Sequence, residues 1–159
     1  MRGRRSAGLL VYRRRAGETE VFLVHPGGPF WRNKDAGAWS LPKGEYGEDE
    51  DPLAAAVREF TEETGMTIGG DFRPLRPVRQ AGGKIVHGWA VPGDFDAAAV
   101  RSNTFTMEWP PKSGQLRTFA EVDRAAWFTL ADARGKILAG QRPLLDELAE
   151  LLASASPSE

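Results

Sequence analysis

The chain contains no cysteine, no long apolar run and almost no net charge. Without cysteine, disulfides, thiolate zinc sites and cysteine nucleophiles are excluded. No apolar run approaches the roughly 18 residues that a membrane helix needs, and the run at residues 7–12 is too short for a signal peptide. Because 21 Lys and Arg balance 22 Asp and Glu, no global basic field exists. These absences predict a cytoplasmic protein without membrane contact or a stable nucleic-acid complex.

The length of 159 residues fits one folded unit with its own core. We predict a single domain over residues 1–153, followed by a flexible polar tail over residues 154–159. Short apolar segments predict strands at residues 7–12, 21–25, 73–79, 84–91, 105–109 and 126–128. Helical patterns occur at residues 52–64, 130–136 and 143–153. Strands before and after a central helix favour an α/β fold with a mixed sheet between helices.

The central helix has clear start and stop signals. Asp51 is a good N-cap, and Pro52 suits the first helical position because its missing N–H is not needed there. Gly65 is a natural C-terminal stop. Apolar or small side chains recur at helical spacing and predict its core face, namely Leu53, Val57, Phe60 and Thr64.

Three glutamates lie on a neighbouring side of this helix. Glu59, Glu62 and Glu63 fall within roughly one turn of each other, so their charges repel. Carboxylate oxygens in such a cluster suit Mg²⁺ or Mn²⁺, which commonly bridge to phosphate groups. The alternative is an acidic face that is simply solvated, as in a structural or partner-binding domain.

Residues 44–66 resemble a complete Nudix box, the signature of the Nudix hydrolases. All fixed positions and both apolar positions are filled: Gly44, Glu50, Arg58, Glu59, Phe60, Glu62, Glu63, Gly65 and Met66. The resemblance implies an α/β/α sandwich with a central mixed sheet. It also implies Mg²⁺-dependent hydrolysis of a pyrophosphate bond in a nucleoside diphosphate linked to another moiety.

The resemblance also assigns roles to residues of the box. Glu59 and Glu63 would be the principal metal ligands, and the main-chain oxygen of Gly44 another. Glu62 would be a further ligand or the water activator, so Glu59 and Glu62 are the expected catalytic residues. Support would come from Arg58, which would orient the glutamates and pair with Glu50.

Members of the family often recruit one more acid from the segment before a late strand. Glu121, six residues before Trp127, is the predicted additional ligand, and Glu108 is its competitor. The identity of the catalytic base and the number of metal ions stay open at this point.

Substrate contacts are expected beside the box and in the loop before it. Lys43 could reach a phosphate as a point charge. The loop at residues 26–37 and the residues after it carry aromatic and cationic side chains that suit a purine and its phosphates, namely Trp31, Arg32, Lys34 and Trp39.

The subfamily is not resolved by the residues beyond the box. The segment that leads into the box, residues 39–44, resembles that of diadenosine polyphosphate hydrolases. However, the tyrosine that those enzymes carry beyond the box is missing, and so is the proline that marks ADP-ribose enzymes. A dinucleoside polyphosphate or a nucleoside triphosphate is favoured. The alternatives are an ADP-ribose or nucleotide-sugar pyrophosphatase and a Nudix module that binds nucleotides without cleaving them. A homodimer is left open because dimers are common in the family.

Overall fold

The computed structural model describes residues 5–155, and the rest of the predicted tail lies outside them. Its strands are β1 (Arg5–Arg15), β2 (Glu18–Pro26), β3 (Lys43–Glu45), β4 (Arg73–Pro74), β5 (Val78–Arg79), β6 (Ile85–Pro92), β7 (Thr104–Glu108), β8 (Leu116–Ala120) and β9 (Val122–Thr129). Its helices are α1 (Pro52–Thr64), α2 (Leu130–Lys136) and α3 (Arg142–Ala155).

Seven strands form one mixed sheet with the order β4-β6-β1-β2-β9. Strand β3 adds to β1, and β5 adds to β6. The β1–β6 pair is parallel, whereas β1 is antiparallel to β2 and β3. The hairpin of β7 and β8 stands apart from this sheet. Between residues 5 and 155, no helix is long and apolar enough to cross a membrane.

Alternating side chains of β1 and β2 build a core on each face of the sheet. Leu9 and Phe22 pack with Phe60 of α1 on one face. Leu10 packs with Leu144 of α3 on the opposite face, where α2 also contributes. Because successive side chains of a strand point to opposite faces, two buried strands can support a helical layer on each side. The predicted α/β/α sandwich is therefore confirmed.

Helix α1 has the predicted ends but a different core face. The Asp51 side chain accepts a hydrogen bond from the N–H of Ala54, and Gly65 ends the helix with φ of 76°. Phe60 and Thr64 are buried as expected, whereas Leu53 and Val57 are only partly buried. The fully buried first-turn positions are Ala55 and Ala56. Small side chains let the start of the helix approach the sheet closely, which leaves Leu53 and Val57 at the edges of the contact.

Three strand predictions need correction. The strand predicted at residues 73–79 is two short strands, β4 and β5, because the chain leaves β6 around Pro77, which has no N–H to pair. Strands β3 and β8 were not predicted at all. Both are short and contain no fully buried residue, so neither has an apolar pattern that its sequence could reveal.

Candidate active site

Helix α1 places its three glutamates beside the backbone of β3. Gly44 lies in β3 opposite Ala7 of β1, and a Cβ atom added at Gly44 would overlap the carboxylate of Glu59. The φ angle of Gly44 is not in the left-handed region, so the backbone conformation does not require glycine here. Glycine is needed because a side chain at this position would not fit. The Glu59 side chain is only 12% exposed. Its carboxylate is therefore held against the Gly44 backbone.

Arg58 ties together the acidic side chains around it. It forms the pair with Glu50 that the sequence predicts, with Nε donating to Oε2 at 2.8 Å and Nη2 donating to Oε1 at 3.0 Å. Its Nη1 donates to Glu59 Oε2 at 2.9 Å and to Glu62 Oε2 at 3.0 Å. These hydrogen bonds, that to Glu50 above all, raise the pKa of Arg58. One guanidinium thus orients three carboxylates.

Glu63 is more deeply buried than the other two glutamates. Its Oε1 accepts a hydrogen bond from the main-chain N–H of Lys43 at 3.2 Å. Burial raises the pKa of Glu63 to about 8, and the charges of Glu59 and Glu121 act in the same direction. Burial also raises the pKa of Glu59. The pKa of Lys43 is lowered, by burial and then by the charge of Lys84. Burial first, and repulsion between the carboxylates second, therefore disfavour the charged forms of Glu59 and Glu63.

The raised pKa of Glu63 predicts a pH-dependent stability in metal-free buffer. Because the folded chain holds the Glu63 proton more tightly than the unfolded chain, the stability that Glu63 contributes is fully present below about pH 4.5 and is lost as the pH rises through about 8. The expected loss is roughly 2–4 kcal/mol, since one pKa unit corresponds to about 1.4 kcal/mol. Urea unfolding in EDTA between pH 5 and 8.5 measures it. Glu63→Gln should flatten the curve; an unchanged slope would assign the effect to other groups.

The acidic cluster fits a divalent cation by its donor chemistry. Within residues 5–155, no three His, Asp or Glu side chains are arranged closely enough to hold a metal ion as they stand. Glu59 and Glu62 accept hydrogen bonds from Arg58, and Glu63 accepts one from the Lys43 N–H. A cation would stabilise the charged carboxylates against the burial and the mutual repulsion that raise the pKa values of Glu59 and Glu63. Glu59, Glu62, Glu63 and the Gly44 backbone are therefore the groups that could hold it.

A cleft of about 340 Å³ opens beside these carboxylates. Its charged lining consists of Lys43, Glu63, Lys84 and Glu121. Glu121 directly precedes β9, and its charge raises the pKa of both Glu59 and Glu63, so the predicted additional acid does lie near the cluster. The competitor Glu108 instead accepts a hydrogen bond from the N–H of Gly114 at 2.7 Å, within the β7–β8 hairpin.

Only two of the five predicted substrate residues line the cleft, Lys43 and Trp31. Arg32 and Lys34 are exposed on the loop, and the Lys34 ammonium lies 5.4 Å from the Trp31 ring centre. Trp39 is 4% exposed, and its Nε1 donates to Asp35 Oδ1 at 2.8 Å. The expectation for Trp39 is therefore corrected: its ring packs in the core and is not part of the cleft lining.

Residues that the sequence did not single out also line the cleft. Gln80 and Lys84 flank the turn between β5 and β6, and Ser40 precedes the box. Buried Gln141 donates hydrogen bonds to Gln80 and to Ser40, which lie 61 and 101 residues earlier in the chain. No local pattern signals such long-range contacts, so only the folded chain reveals them.

Comparisons with known proteins agree with this geometry. The family model of the NUDIX domain matches residues 2–148. A C. elegans Ap4A hydrolase binary complex is 25% identical with a TM-score of 0.66, covering 95% of this chain and 98% of that chain. The NUDIX domain of Shewanella oneidensis NrtR complexed with ADP ribose is 19% identical with a TM-score of 0.66, covering 96% and 90%. A mutT/nudix family protein from Listeria innocua is 15% identical with a TM-score of 0.61, covering 95% and 94%.

Proposed function

This chain belongs to the Nudix hydrolase family, and on that premise we propose that it hydrolyses a pyrophosphate bond in a Mg²⁺- or Mn²⁺-dependent reaction. The substrate is a nucleoside diphosphate linked to another moiety, with a dinucleoside polyphosphate or a nucleoside triphosphate favoured. The observation that carries the proposal is the convergence of Glu63 and Glu121 with two lysines at one cleft, beside the other two α1 glutamates. Similarity to an Ap4A hydrolase over nearly the whole of both chains supports the substrate class.

The residues of the cleft have distinct tasks in this proposal. Glu59, Glu62, Glu63 and the Gly44 carbonyl would hold the cation. When bound, a divalent cation neutralises phosphate charge and makes water a better nucleophile. Lys43 and Lys84 would bind the remaining phosphate oxygens. Arg58 and Glu50 hold the carboxylates in place and take no part in the chemistry.

The attacking water must lose a proton to a carboxylate of the chain. Glu62 and Glu121 are our two candidates for this acceptor. Glu62 is 38% exposed and is oriented by Arg58. Glu121 approaches the cluster from the segment between β8 and β9. Transfer of a proton from water to either group is ordinary general-base catalysis.

A substrate panel with resolved products tests the proposal. We expect Mg²⁺-dependent cleavage of dinucleoside polyphosphates or nucleoside triphosphates, with slower cleavage of ADP-ribose, nucleotide sugars and capped RNA. EDTA should stop the reaction, because the carboxylates alone cannot neutralise the phosphates. Nucleotide binding without any product would instead indicate a non-hydrolytic module. If neither millimolar Mg²⁺ nor nucleotide changed the melting temperature, the acidic face would be only solvated.

Three expectations from the sequence go with this proposal. We propose a cytoplasmic location, a nucleotide-sized partner and a single domain extending to about residue 153. Each follows from composition and pattern, and each can be tested separately from the reaction.

A further inference from the structure

Gln141 is a buried glutamine whose amide orientation is fixed by the backbone. It immediately precedes α3 and is 0% exposed. Its Oε1 accepts a hydrogen bond from the main-chain N–H of Leu41 at 3.2 Å. A main-chain N–H can only donate, so the atom that faces it must be the amide oxygen. The Nε2 group of Gln141 therefore faces the opposite way and must donate.

The same network fixes the side chain of Gln80. Gln141 Nε2 donates to Ser40 Oγ at 3.0 Å and to Gln80 Oε1 at 2.7 Å. Ser40 Oγ in turn donates to the Leu41 carbonyl at 2.7 Å, so its lone pairs are available to Gln141. Since Gln80 accepts through its oxygen, its Nε2 group is left as a donor. No acceptor for that group is found between residues 5 and 155.

Gln80 is one of the residues that line the cleft, together with the carboxylates Glu63 and Glu121. The charged residues of this cleft suit phosphates, whereas its apolar lining suits a ring. That lining includes the larger side chains Val24, Trp31, Leu41 and Leu138. A volume of about 340 Å³ is at the lower end of the usual range for small-molecule sites. A base packed on the apolar side chains would present its edge to nearby polar groups, and Gln80 offers that edge a donor.

We propose that Gln80 recognises the nucleotide base by donating a hydrogen bond from Nε2 to a keto oxygen. The cleft would then favour a 6-oxopurine over a 6-aminopurine, because the amino group would place a donor against a donor and leave both unpaired. Gln141 is the positioning residue that holds the Gln80 amide in this orientation. This inference rests on the proposed function, since it identifies the base that the same cleft accepts.

The first experiment compares two nucleotides that differ only in the base. For GTP and ATP, or for the corresponding dinucleoside polyphosphates, we expect a kcat/KM ratio of about 10 to 100 in favour of guanine. Gln80→Ala should bring that ratio close to 1, mainly by slowing the guanine substrate. The matched control is Gln115→Ala, since Gln115 is exposed beyond the β7–β8 turn and outside the cleft lining; its ratio should stay at the wild-type value.

A second variant reverses the orientation of Gln80 rather than removing it. Gln141→Glu keeps an acceptor for the Leu41 N–H and, assayed at a pH above the pKa of its buried carboxyl, offers Gln80 an oxygen instead of a donor. The Gln80 amide should then turn over and present its own oxygen to the cleft, so the kcat/KM ratio should fall below 1. A residue that only stabilised the fold would lower both rates without reversing the preference.

Binding measurements separate this inference from the proposed reaction. Calorimetry with GMP and AMP in EDTA reports base preference without hydrolysis, for the wild type and for Gln80→Ala. A Gln80-dependent preference for GMP, with no nucleotide hydrolysed in Mg²⁺, would support the inference while overturning the proposed function. Equal affinities of the wild type for both nucleotides would overturn the inference. An equal loss of affinity for GMP and AMP in Gln80→Ala would also overturn it, because Gln80 would then contact the phosphate or the ribose and not the base.

Discussion

Replacing Glu63 with glutamine should lower kcat/KM for the preferred nucleotide by about 10²- to 10⁴-fold at limiting Mg²⁺. The substitution removes a ligand charge while keeping the shape of the side chain. The amide oxygen of the variant can still accept the Lys43 N–H that Glu63 accepts now. Because that hydrogen bond and the packing are retained, the fold should stay intact.

A metal titration distinguishes the loss of a ligand from a loss of structure. Saturating Mg²⁺ should raise the melting temperature of the wild type by roughly 5 °C, and most of this rise should vanish in Glu63→Gln. Glu18→Gln is the matched control, since Glu18 is exposed at the turn between β1 and β2. A rate near that of the wild type in Glu63→Gln, at limiting Mg²⁺, would rule out Glu63 as a ligand.

A single methyl group at Gly44 should lower turnover by about 10²-fold. In Gly44→Ala the new Cβ atom would overlap the Glu59 carboxylate, so this side chain would have to leave the β3 backbone. Glu59 is 12% exposed and is held by Arg58, so little room is left for it to move within the cluster. Steady-state kinetics across a range of Mg²⁺ concentrations would show the loss and a weakened metal dependence.

Gly47→Ala is the control for this substitution. Gly47 follows β3 in the same segment, and a Cβ atom placed there meets nothing within 4 Å. Both glycines lie outside the left-handed region, so alanine causes no backbone strain at either position. Turnover should therefore stay near the wild-type value in Gly47→Ala. Similar activity of the two variants would show that the approach of Glu59 to Gly44 is not needed for the reaction.

Helix α1 shows which parts of the fold the sequence can predict. Its ends depend on Asp51 and Gly65, and both act within one turn of the chain. Its core face depends on the surface of the sheet that it meets. For this reason the caps are correct, whereas Ala55 and Ala56 replace Leu53 and Val57 at the centre of the contact.

In the candidate site, too, some residues are placed by their local spacing in the sequence and others by long-range packing. The helical spacing of Glu59, Glu62 and Glu63 already brings them together, and the family predicted from residues 44–66 is confirmed. The substrate residues were predicted from composition, and the structure brings Trp31 into the cleft but buries Trp39. Composition shows that a loop is rich in aromatic residues, but it does not show which of their rings are buried in the core.

The sequence by itself determined the acidic helix, its caps, the family and the class of bond that we propose it cleaves. These properties depend on residues 44–66, and within α1 the helix geometry sets the distances between the glutamates. Only the tertiary structure decided that Gly44 gives Glu59 room, that burial raises the pKa of Glu63, and that Gln141 orients Gln80. These properties arise from contacts between distant segments, because burial and hydrogen-bond direction exist only after the layers have packed.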